Sequence, residues 1–357
     1  MKRIAFFQSD LGVGGIQKSI VNLLRNLDYS RFAVDLYLTE TRAFWDGQFP
    51  EQLHMYDLKP IPRLYSFLPF DLAKKRIDYR WPKGFPKDVE EYDLAVDFNS
   101  YQCSCAVGAL TVPAKKRVMW IHNDVGIKLH DEWKYRVLWH FFRGKFKYYD
   151  GFVGVSAALE EPFRIASGVE DKPFSAIPNY IDVGEIRQKM AETPGDLEID
   201  PACMNFVALG RLCHQKGYDL MLQSFAEARK QREDLRLYII GDGPDRGALE
   251  SLTEELKLRE DVHFLGSQPN PFQYMARMDA FVSSSRYEGQ GMNIMEAMAV
   301  GLPLFCTKNL EKYIEGLQGC EDLTAALIAA KKTEKRPDDL AAYNGRILDR
   351  IAALAGE

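Results

Sequence analysis

Strand-like and helix-like segments alternate along this chain in two separate series. The first series begins with an apolar segment at 2–8, followed by a glycine-rich turn, an amphipathic segment at 16–27 and a second apolar segment at 31–39. This order predicts parallel strands joined by helices, because parallel neighbours need a long crossover connection. A second series of the same kind begins after residue 203. The alternation therefore predicts an α/β protein built from two parallel-sheet domains.

The predicted elements also set the domain boundaries. Residues 183–203 carry several acidic residues with Pro194 and Gly195, and we interpret them as a helix followed by a linker. We predict an N-terminal domain over 1–183, a C-terminal domain over 184–335, and a final helix within 336–357 that packs back toward the N-terminal domain. Ligands of open α/β sheets bind at the carboxyl ends of the strands. Two such domains facing each other would form a deep cleft. The predicted strands are 2–8, 31–39, 93–98, 117–121, 151–155, 174–177, 205–209, 235–240, 262–265, 280–283 and 303–305.

Charge and cysteine content exclude several classes of protein. The net charge of the 357-residue chain is -5, so the chain as a whole is not a polyanion-binding protein. Residues 1–190 carry about +3 and residues 191–357 about -8, so the first half is better suited to an anionic surface. No apolar run approaches the roughly 18 residues that span a bilayer. The six cysteines have no zinc-type spacing, and with no signal peptide they predict free thiols in a reducing cytoplasm.

The segment 283–303 carries the strongest candidate site. A predicted strand ends in three serines, turns through Glu288, Gly289, Gln290 and Gly291, and continues into a short helix that includes Met292 and Glu296. A glycine-rich loop before a helix presents free N–H groups to an anion, and ionised carboxylates accept hydrogen bonds from hydroxyl groups. Phosphate and polyol recognised together suggest a nucleotide-sugar. The alternative is a surface loop acid and an ordinary helix-forming glutamate.

A second glycine loop follows the first strand. The dinucleotide fingerprint needs three spaced glycines, but Gln17 stands at the third position after Gly12 and Gly14, which disfavours a nicotinamide or flavin cofactor. The pair Gly14 and Gly15 still permits close approach of the backbone to a phosphate. The alternative is a tight strand-to-helix turn without a ligand.

Two cations follow the first strand of the second series. Arg211 offers a planar guanidinium and Lys216 a compact ammonium, which suit the two phosphates of a diphosphate. The chain has no Asp-x-Asp triplet that would hold Mg²⁺, so these cations would replace the metal. The alternative is a pair of solvated basic side chains. His122 ends another predicted strand, where a ligand would lie, although a single histidine is more often structural.

These motifs resemble those of the retaining glycosyltransferases of family 4. Glu288 and Glu296, with Ser-Ser-Arg-Tyr before them and Ala-Met-Ala-x-Gly-x-Pro after, resemble the E-x7-E signature of that family. The segment 210–217 resembles its G-R-x5-G diphosphate motif, and 14–19 resembles its N-terminal glycine loop. The segment 262–266, ending at Gly266, resembles the passage before the loop that meets the nucleobase. His122 matches a family histidine, although Asn123 stands before Asp124.

The resemblance implies a fold, a reaction and a role for each residue. The fold would be GT-B, with two facing Rossmann-like domains and an interdomain cleft. Arg211 and Lys216 would stabilise the leaving diphosphate, Glu296 would bind ribose, Glu288 would bind the transferred sugar, and His122 would position it. Gly14, Gly15, Gly266, Gly289, Gln290, Gly291 and Met292 would line the donor site. No metal and no cofactor would be needed.

The implied function is transfer of a sugar from an NDP-sugar, with UDP favoured, to a glycan or lipid-linked glycan, as in assembly of bacterial cell-surface polysaccharides. Two alternatives are a GT-B sugar-nucleotide epimerase and a non-catalytic partner subunit of a glycosyltransferase complex. Donor turnover without dependence on an acceptor would favour the first alternative. The joint presence of Arg211, Lys216, Glu288 and Glu296 disfavours the second.

One further segment, 133–149, interleaves cations with aromatic residues. Lys134, Arg136, Arg143, Lys145 and Lys147 alternate with Trp133, Trp139 and other aromatic side chains. A basic aromatic helix is typical of contact with an anionic membrane surface, and an ordinary packed helix is the alternative. No nucleic-acid motif accompanies it, so we predict no nucleic-acid partner. The predicted location is the cytoplasm, with possible peripheral attachment to the membrane.

Overall fold

The computed structural model describes residues 1–12, 14–40, 49–58, 65, 68–77, 91–100, 102–192 and 197–357, and it divides into two compact units. Unit 1 comprises Met1–Tyr180 together with Ala342–Glu357, and unit 2 comprises Ile181–Ala341. The chain therefore passes from unit 1 to unit 2 after Tyr180 and returns at Ala342, so that the last helix belongs to unit 1.

Unit 1 is built on a seven-stranded parallel sheet with the order β3-β2-β1-β4-β5-β6-β7. The strands are β1 (Lys2–Gln8), β2 (Phe32–Leu38), β3 (His54–Asp57), β4 (Tyr92–Asp97), β5 (Ala114–Ile121), β6 (Gly151–Gly154) and β7 (Phe174–Ala176). The central strands β1 and β4 are almost continuously buried, as expected for a sheet covered by helices on both faces.

The helices of unit 1 connect these strands. They are α1 (Gly15–Asn26), α2 (Phe70–Ile77), α3 (Cys103–Thr111), α4 (Val125–Asp131), α5 (Trp133–Phe142) and α6 (Glu160–Ser167). A 3-10 helix at Arg143–Tyr148 continues α5. After unit 2, the chain adds a terminal helix to unit 1, in which Arg350 donates to the Ala176 carbonyl at 2.7 Å and Tyr343 donates to the Asn179 carbonyl at 3.0 Å.

Unit 2 has a five-stranded parallel sheet with the order β10-β9-β8-β11-β12. The strands are β8 (Met204–Leu209), β9 (Leu235–Ile240), β10 (Val262–Gly266), β11 (Ala280–Ser283) and β12 (Leu304–Cys306). Its helices are α7 (Val183–Met190), α8 (Tyr218–Arg229), α9 (Arg246–Glu255), α10 (Phe272–Met275), α11 (Met292–Val300) and α12 (Leu323–Ala329). The terminal helix that returns to unit 1 is α13 (Ala341–Leu354). Apolar residues of β8, β9, α8 and α12 form the core on one face of the sheet.

The eleven predicted strands are present, with ends that differ by up to three residues. Four further elements, β3, α2, α3 and α4, were not predicted from the sequence. Cys103 and Cys105 lie in α3 and are buried. Cys203 and Cys306 are buried elsewhere in the chain, and all four are free thiols. Within the described part of the chain, no helix is long and apolar enough to cross a membrane.

Candidate active site

Three strand-to-helix loops meet at the carboxyl edge of the unit 2 sheet. They follow β8, β9 and β11, and β8 lies between the other two strands. Glycines make this convergence possible: a Cβ on Gly241 would lie 2.0 Å from the Gly210 carbonyl oxygen, and a Cβ on Gly217 would lie 2.2 Å from the Ser284 carbonyl oxygen. Gly217 also has a φ of 62°. Side chains at these two positions would force the loops apart.

Lys216 and Glu288 form an ion pair across two of these loops. Lys216 ends a 3-10 helix at His214–Lys216 after β8, and Glu288 lies in the loop after β11. The Lys216 Nζ is 2.6 Å from the Glu288 Oε1, and the Glu288 side chain is only 6% exposed. Sequence analysis had placed the two residues in one site with different roles, but it did not predict that they contact each other.

Several side chains hold the loop that carries Glu288. Arg286 makes a two-pronged ion pair with Asp219 of α8, at 2.8 and 2.6 Å. Gln215 donates to the Tyr287 carbonyl at 3.1 Å, and Asn309 donates to the Ser285 carbonyl at 2.9 Å. Sequence reasoning missed this support. Arg286 and Asp219 have opposite charges, but they lie 67 residues apart, so no local sequence pattern indicates that they pair.

Helix α11 begins at the glycine-rich turn. Its N-cap, Gly291, has a φ of 75°, a conformation that glycine adopts without strain. Gly289 and Gln290 are buried before it, Met292 is half-buried, and Glu296 lies one turn into the helix and is 4% exposed. Asn293 donates to the Leu209 carbonyl at 2.6 Å and so fixes the helix start to the end of β8.

Two further candidates lie on unit 2 outside this pair. Arg211 is exposed in the loop after β8, and no described residue makes a hydrogen bond or ion pair with its guanidinium. Gly266 ends β10 with a φ of 68°, and its carbonyl accepts from the Gly241 N–H at 2.8 Å. The structure therefore gathers Arg211, Lys216, Glu288, Glu296 and Gly266 along one edge of one sheet.

His122 belongs to unit 1, where it follows β5. It is 7% exposed, and its Nε2 donates to the Phe98 carbonyl at 2.9 Å. Burial lowers its pKa to about 3, against a smaller opposite effect of that hydrogen bond. His122 is therefore neutral at pH 7. Because a carbonyl can only accept, the Nε2 carries the proton and the Nδ1 is left as an acceptor.

The glycine loop of unit 1 is folded around one carboxylate. Asp10 accepts from the Gly12 N–H at 2.7 Å and from the Gln17 side chain at 3.3 Å, so the residue at the third glycine position closes the loop. A Cβ on Gly14 would lie 2.3 Å from the Gln17 Oε1, whereas one on Gly15 would contact nothing within 4 Å. His122, Gly14 and Gly15 thus lie in a different unit from the charged candidates.

The basic aromatic segment 133–149 forms α5 and the 3-10 helix, but it is not a single exposed surface. Trp133 is 65% exposed and Val137 49% exposed, with Lys134 and Arg136 beside them. Lys145, Phe146 and Tyr149, by contrast, are buried. Lys145 therefore matches the alternative of an ordinary packed segment, because its ammonium pairs with buried Asp97 at 3.3 Å.

Two family models match this chain. The model of glycosyltransferase family 4 matches residues 13–185, and the model of group 1 glycosyl transferases matches residues 196–319. The first match contains His122, and the second contains the loops of Arg211, Lys216 and Glu288. The chain belongs to the group 1 glycosyltransferases of family 4, which confirms the family predicted from the sequence.

Individual relatives match over different lengths. The lipopolysaccharide core biosynthesis glycosyltransferase LpsD of Rhizobium meliloti is 34% identical over 113 residues, which are 32% of this chain and 32% of that protein. The alpha-monoglucosyldiacylglycerol synthase of Streptococcus pneumoniae is 23% identical over 321 residues, 83% of this chain and 68% of that protein. The chain spans about a third of the length of the first three curated relatives that it matches.

The fold has solved counterparts. The HepE protein of Anabaena, in complex with UDP and glucose, superposes with a TM-score of 0.67 over 99% of both chains at 17% identity. At this identity the likeness concerns the fold alone. The fold is GT-B, an α/β architecture of two parallel-sheet Rossmann-like domains, as predicted.

Proposed function

We propose that the protein is a retaining, metal-independent glycosyltransferase that moves a sugar from an NDP-sugar, with UDP as the nucleotide, to a glycan or lipid-linked glycan. Unit 2 would bind the nucleotide and unit 1 would bind the acceptor. The family assignment supports the reaction class. The UDP bound by HepE supports the choice of nucleotide, and the names of LpsD and the S. pneumoniae synthase support a cell-envelope acceptor.

One observation carries this proposal, the Lys216–Glu288 pair at the carboxyl edge of the unit 2 sheet. The buried Glu288 carboxylate holds the Lys216 ammonium in place before a ligand arrives. Burying this pair costs desolvation free energy, which an exposed ion pair on the surface would avoid. A diphosphate would draw the Lys216 ammonium toward itself, and exposed Arg211 would supply the second cation. The two cations would then stabilise the charge that develops on the leaving diphosphate without a metal.

Release of Lys216 would leave Glu288 free to accept from hydroxyl groups of the transferred sugar. Glu296, one turn into α11, would accept from the ribose hydroxyls. On unit 1, the Nδ1 of neutral His122 is an acceptor, which would fix a sugar hydroxyl and position the reacting sugar. Gly14 and Gly15 would allow the first glycine loop to approach the donor, and Gly266 and 289–292 would line its nucleotide.

The proposed chemistry needs no protein base. The acceptor hydroxyl oxygen forms a bond to the anomeric carbon on the face from which the diphosphate leaves. The bond between that carbon and the diphosphate oxygen breaks, and the hydroxyl proton passes to the leaving phosphate. The configuration at the anomeric carbon is therefore retained. His122, with a pKa near 3, would remain a neutral hydrogen-bonding group throughout.

Contact with an anionic membrane in the cytoplasm is a further part of the proposal. Trp133 and Val137, one turn apart on α5, are exposed beside Lys134 and Arg136. On α2, exposed Leu72 lies beside the exposed cations Lys75 and Arg76. Apolar side chains among cations are suited to the interface of a bilayer with anionic head groups.

A thermal-shift screen against UDP-, GDP- and ADP-sugars tests the donor. A ligand at about 100 times its Kd adds roughly 2.7 kcal/mol to the free energy of unfolding, which is readily measured. We expect UDP-sugars to raise the Tm of the wild type and to raise that of Lys216→Ala less. Turnover of the selected donor is then measured with and without glycan acceptors, and the anomeric configuration of the product is determined by NMR. Turnover without any acceptor would favour an epimerase, and binding without turnover a non-catalytic subunit.

A further inference from the structure

A charged group that the proposed reaction does not use lies buried in unit 1. The Lys145 side chain is 1% exposed, and its Nζ lies 3.3 Å from the Asp97 Oδ2 and 2.8 Å from the Ser100 carbonyl oxygen. Tyr149 donates to the same Asp97 oxygen at 2.6 Å. Lysine and aspartate are almost never fully buried unless paired, and such a pair adds little to stability compared with apolar packing. Its position in the unit therefore requires another explanation.

The segment between these contacts is anchored at every residue. It is the end of β4 and the turn after it, 97–100. Lys145 holds both ends, at the Asp97 carboxylate and the Ser100 carbonyl. Between them, the Phe98 carbonyl accepts from His122, and the Asn99 side chain donates to the Ser9 hydroxyl at 2.8 Å.

The same segment joins the two candidate features of unit 1. Ser9, which accepts from Asn99, donates to the Asp10 carboxylate at 2.7 Å. Asp10 in turn organises the glycine loop through the Gly12 N–H. On the other side, the hydrogen bond to Phe98 sets which ring nitrogen of His122 carries the proton. The geometry of both features therefore depends on where the segment 97–100 lies.

We infer that Lys145 is a positioning residue for the glycosyl transfer proposed above: by clamping 97–100 at both ends, it fixes the orientation and tautomer of His122. An ammonium suits this task because it has three donors and can bind a carboxylate and a carbonyl at once. In a buried site these charge-assisted hydrogen bonds are stronger than neutral ones. Burial raises the pKa of Asp97, and the nearby Lys145 ammonium and Tyr149 hydroxyl oppose part of that rise.

The variant Lys145→Met tests this inference, because it keeps an unbranched side chain and removes the donors. Lys115→Met is the matched control: Lys115 of β5 pairs at 2.8 Å with Asp93, which lies on the same strand as Asp97, but the Lys115 side chain is 63% exposed. The double variant Lys145→Met with Asp97→Asn removes both buried charges. The double variant provides a folded protein for the test if the unpaired Asp97 carboxylate prevents Lys145→Met from folding.

Two measurements are made on each variant. The first is kcat for the donor found in the thermal-shift screen, beside calorimetric affinity for UDP. We expect Lys145→Met to lower kcat roughly 10- to 100-fold, the scale of a small misplacement of a reacting group, while UDP affinity changes less than about twofold. UDP affinity is spared because its proposed ligands lie on unit 2. The Lys115→Met control should match the wild type in both quantities.

The second measurement does not depend on turnover. Nitrogen-15 NMR of the histidine rings reports which nitrogen is protonated, and His122→Gln identifies the His122 signals by their loss. We expect a single Nε2-protonated form in the wild type and a shifted or mixed form in Lys145→Met and in the double variant. Wild-type His122 signals in a folded Lys145 variant would overturn the inference. Shifted signals without any donor turnover in the wild type would uphold the clamp and refute the proposed function.

Discussion

The two sheets of this protein share a strand order but carry different chemistry at equivalent edges. In unit 1 the first five strands have the order β3-β2-β1-β4-β5, with β1 in the middle of the five, and in unit 2 the order β10-β9-β8-β11-β12 likewise places the first strand in the middle. The loops after β1 and β4 are joined by the hydrogen bond between Ser9 and Asn99. The loops after β8 and β11 are joined by the Lys216–Glu288 ion pair.

Under the proposed function, this difference would let one topology serve two binding tasks. In unit 1, His122 is neutral and its Nε2 is already engaged by Phe98, so it offers an acceptor to a ligand hydroxyl. In unit 2, exposed Arg211 and paired Lys216 offer positive charge, which suits a diphosphate. A nucleotide-sugar has both charged and neutral groups. Under the proposed function, Arg211 and Lys216 of unit 2 would bind its diphosphate, and His122 of unit 1 would accept from a sugar hydroxyl.

The largest effect on turnover is expected from removal of the positive charges of unit 2. We expect Lys216→Ala and Arg211→Ala each to lower turnover by about two to three orders of magnitude, the scale for loss of one electrostatic stabiliser of a transition state. UDP affinity should also fall, because the diphosphate loses a cation. The measurements are steady-state rates with the selected UDP-sugar and calorimetric affinity for UDP.

The control for these variants is Lys230→Ala. Lys230 pairs with Glu227 on the exposed surface of unit 2, so its loss changes the net charge equally but should leave turnover unchanged. Rates near those of the wild type for both Lys216→Ala and Arg211→Ala would mean that another group holds the leaving diphosphate.

The second test separates the two glutamates of unit 2 by role. Glu296 is proposed to bind ribose, which does not change during the reaction, so Glu296→Gln should weaken UDP binding about tenfold and donor binding equally. Glu288 is proposed to touch the transferred sugar, so Glu288→Gln should lower kcat about 100-fold with UDP affinity nearly unchanged. Calorimetry and steady-state kinetics measure both. The opposite pattern would reverse the two assignments.

The third test concerns the neutral histidine of unit 1. With a pKa of about 3 in the folded state and 6.5 when unfolded, His122 takes up a proton only on unfolding between these values. The free energy of unfolding should therefore fall with decreasing pH below 6.5, by up to about 1.4 kcal/mol per pH unit from this residue. Between pH 6 and pH 5 the wild type should lose about 1 kcal/mol more than His122→Gln in urea unfolding. Equal losses in both proteins would mean that His122 titrates normally.

The smallest effect is expected from removal of metal ions. If the cations of unit 2 stabilise the leaving diphosphate by themselves, incubation with EDTA should leave turnover within about twofold of the untreated enzyme, since no Lewis acid is then required. Turnover is measured after EDTA treatment and again after addition of Mg²⁺ or Mn²⁺. Complete loss in EDTA that either ion restores would refute the metal-independent mechanism.

Local sequence patterns were sufficient for the strands that alternate with clear helices. β1 and β9, for example, are largely buried segments followed by glycine-containing turns, and their ends were predicted to the residue. The patterns failed for β3, which is four residues long and mostly exposed, and for α3, which is apolar on nearly all sides. A segment that is apolar all round has no periodicity to distinguish a buried helix from a buried strand.

The sequence by itself determined that two parallel α/β units would form and that candidate site residues would follow strands, because periodicity and turn chemistry act over a few neighbouring residues. Only the tertiary structure decided that Lys216 pairs with Glu288, 72 residues away, and that Lys145 is buried and pairs with Asp97, 48 residues away. These pairings depend on which strand ends lie side by side in the sheet. That arrangement is fixed by the burial of whole strands and helices, a property of the packed chain that no short stretch of sequence contains.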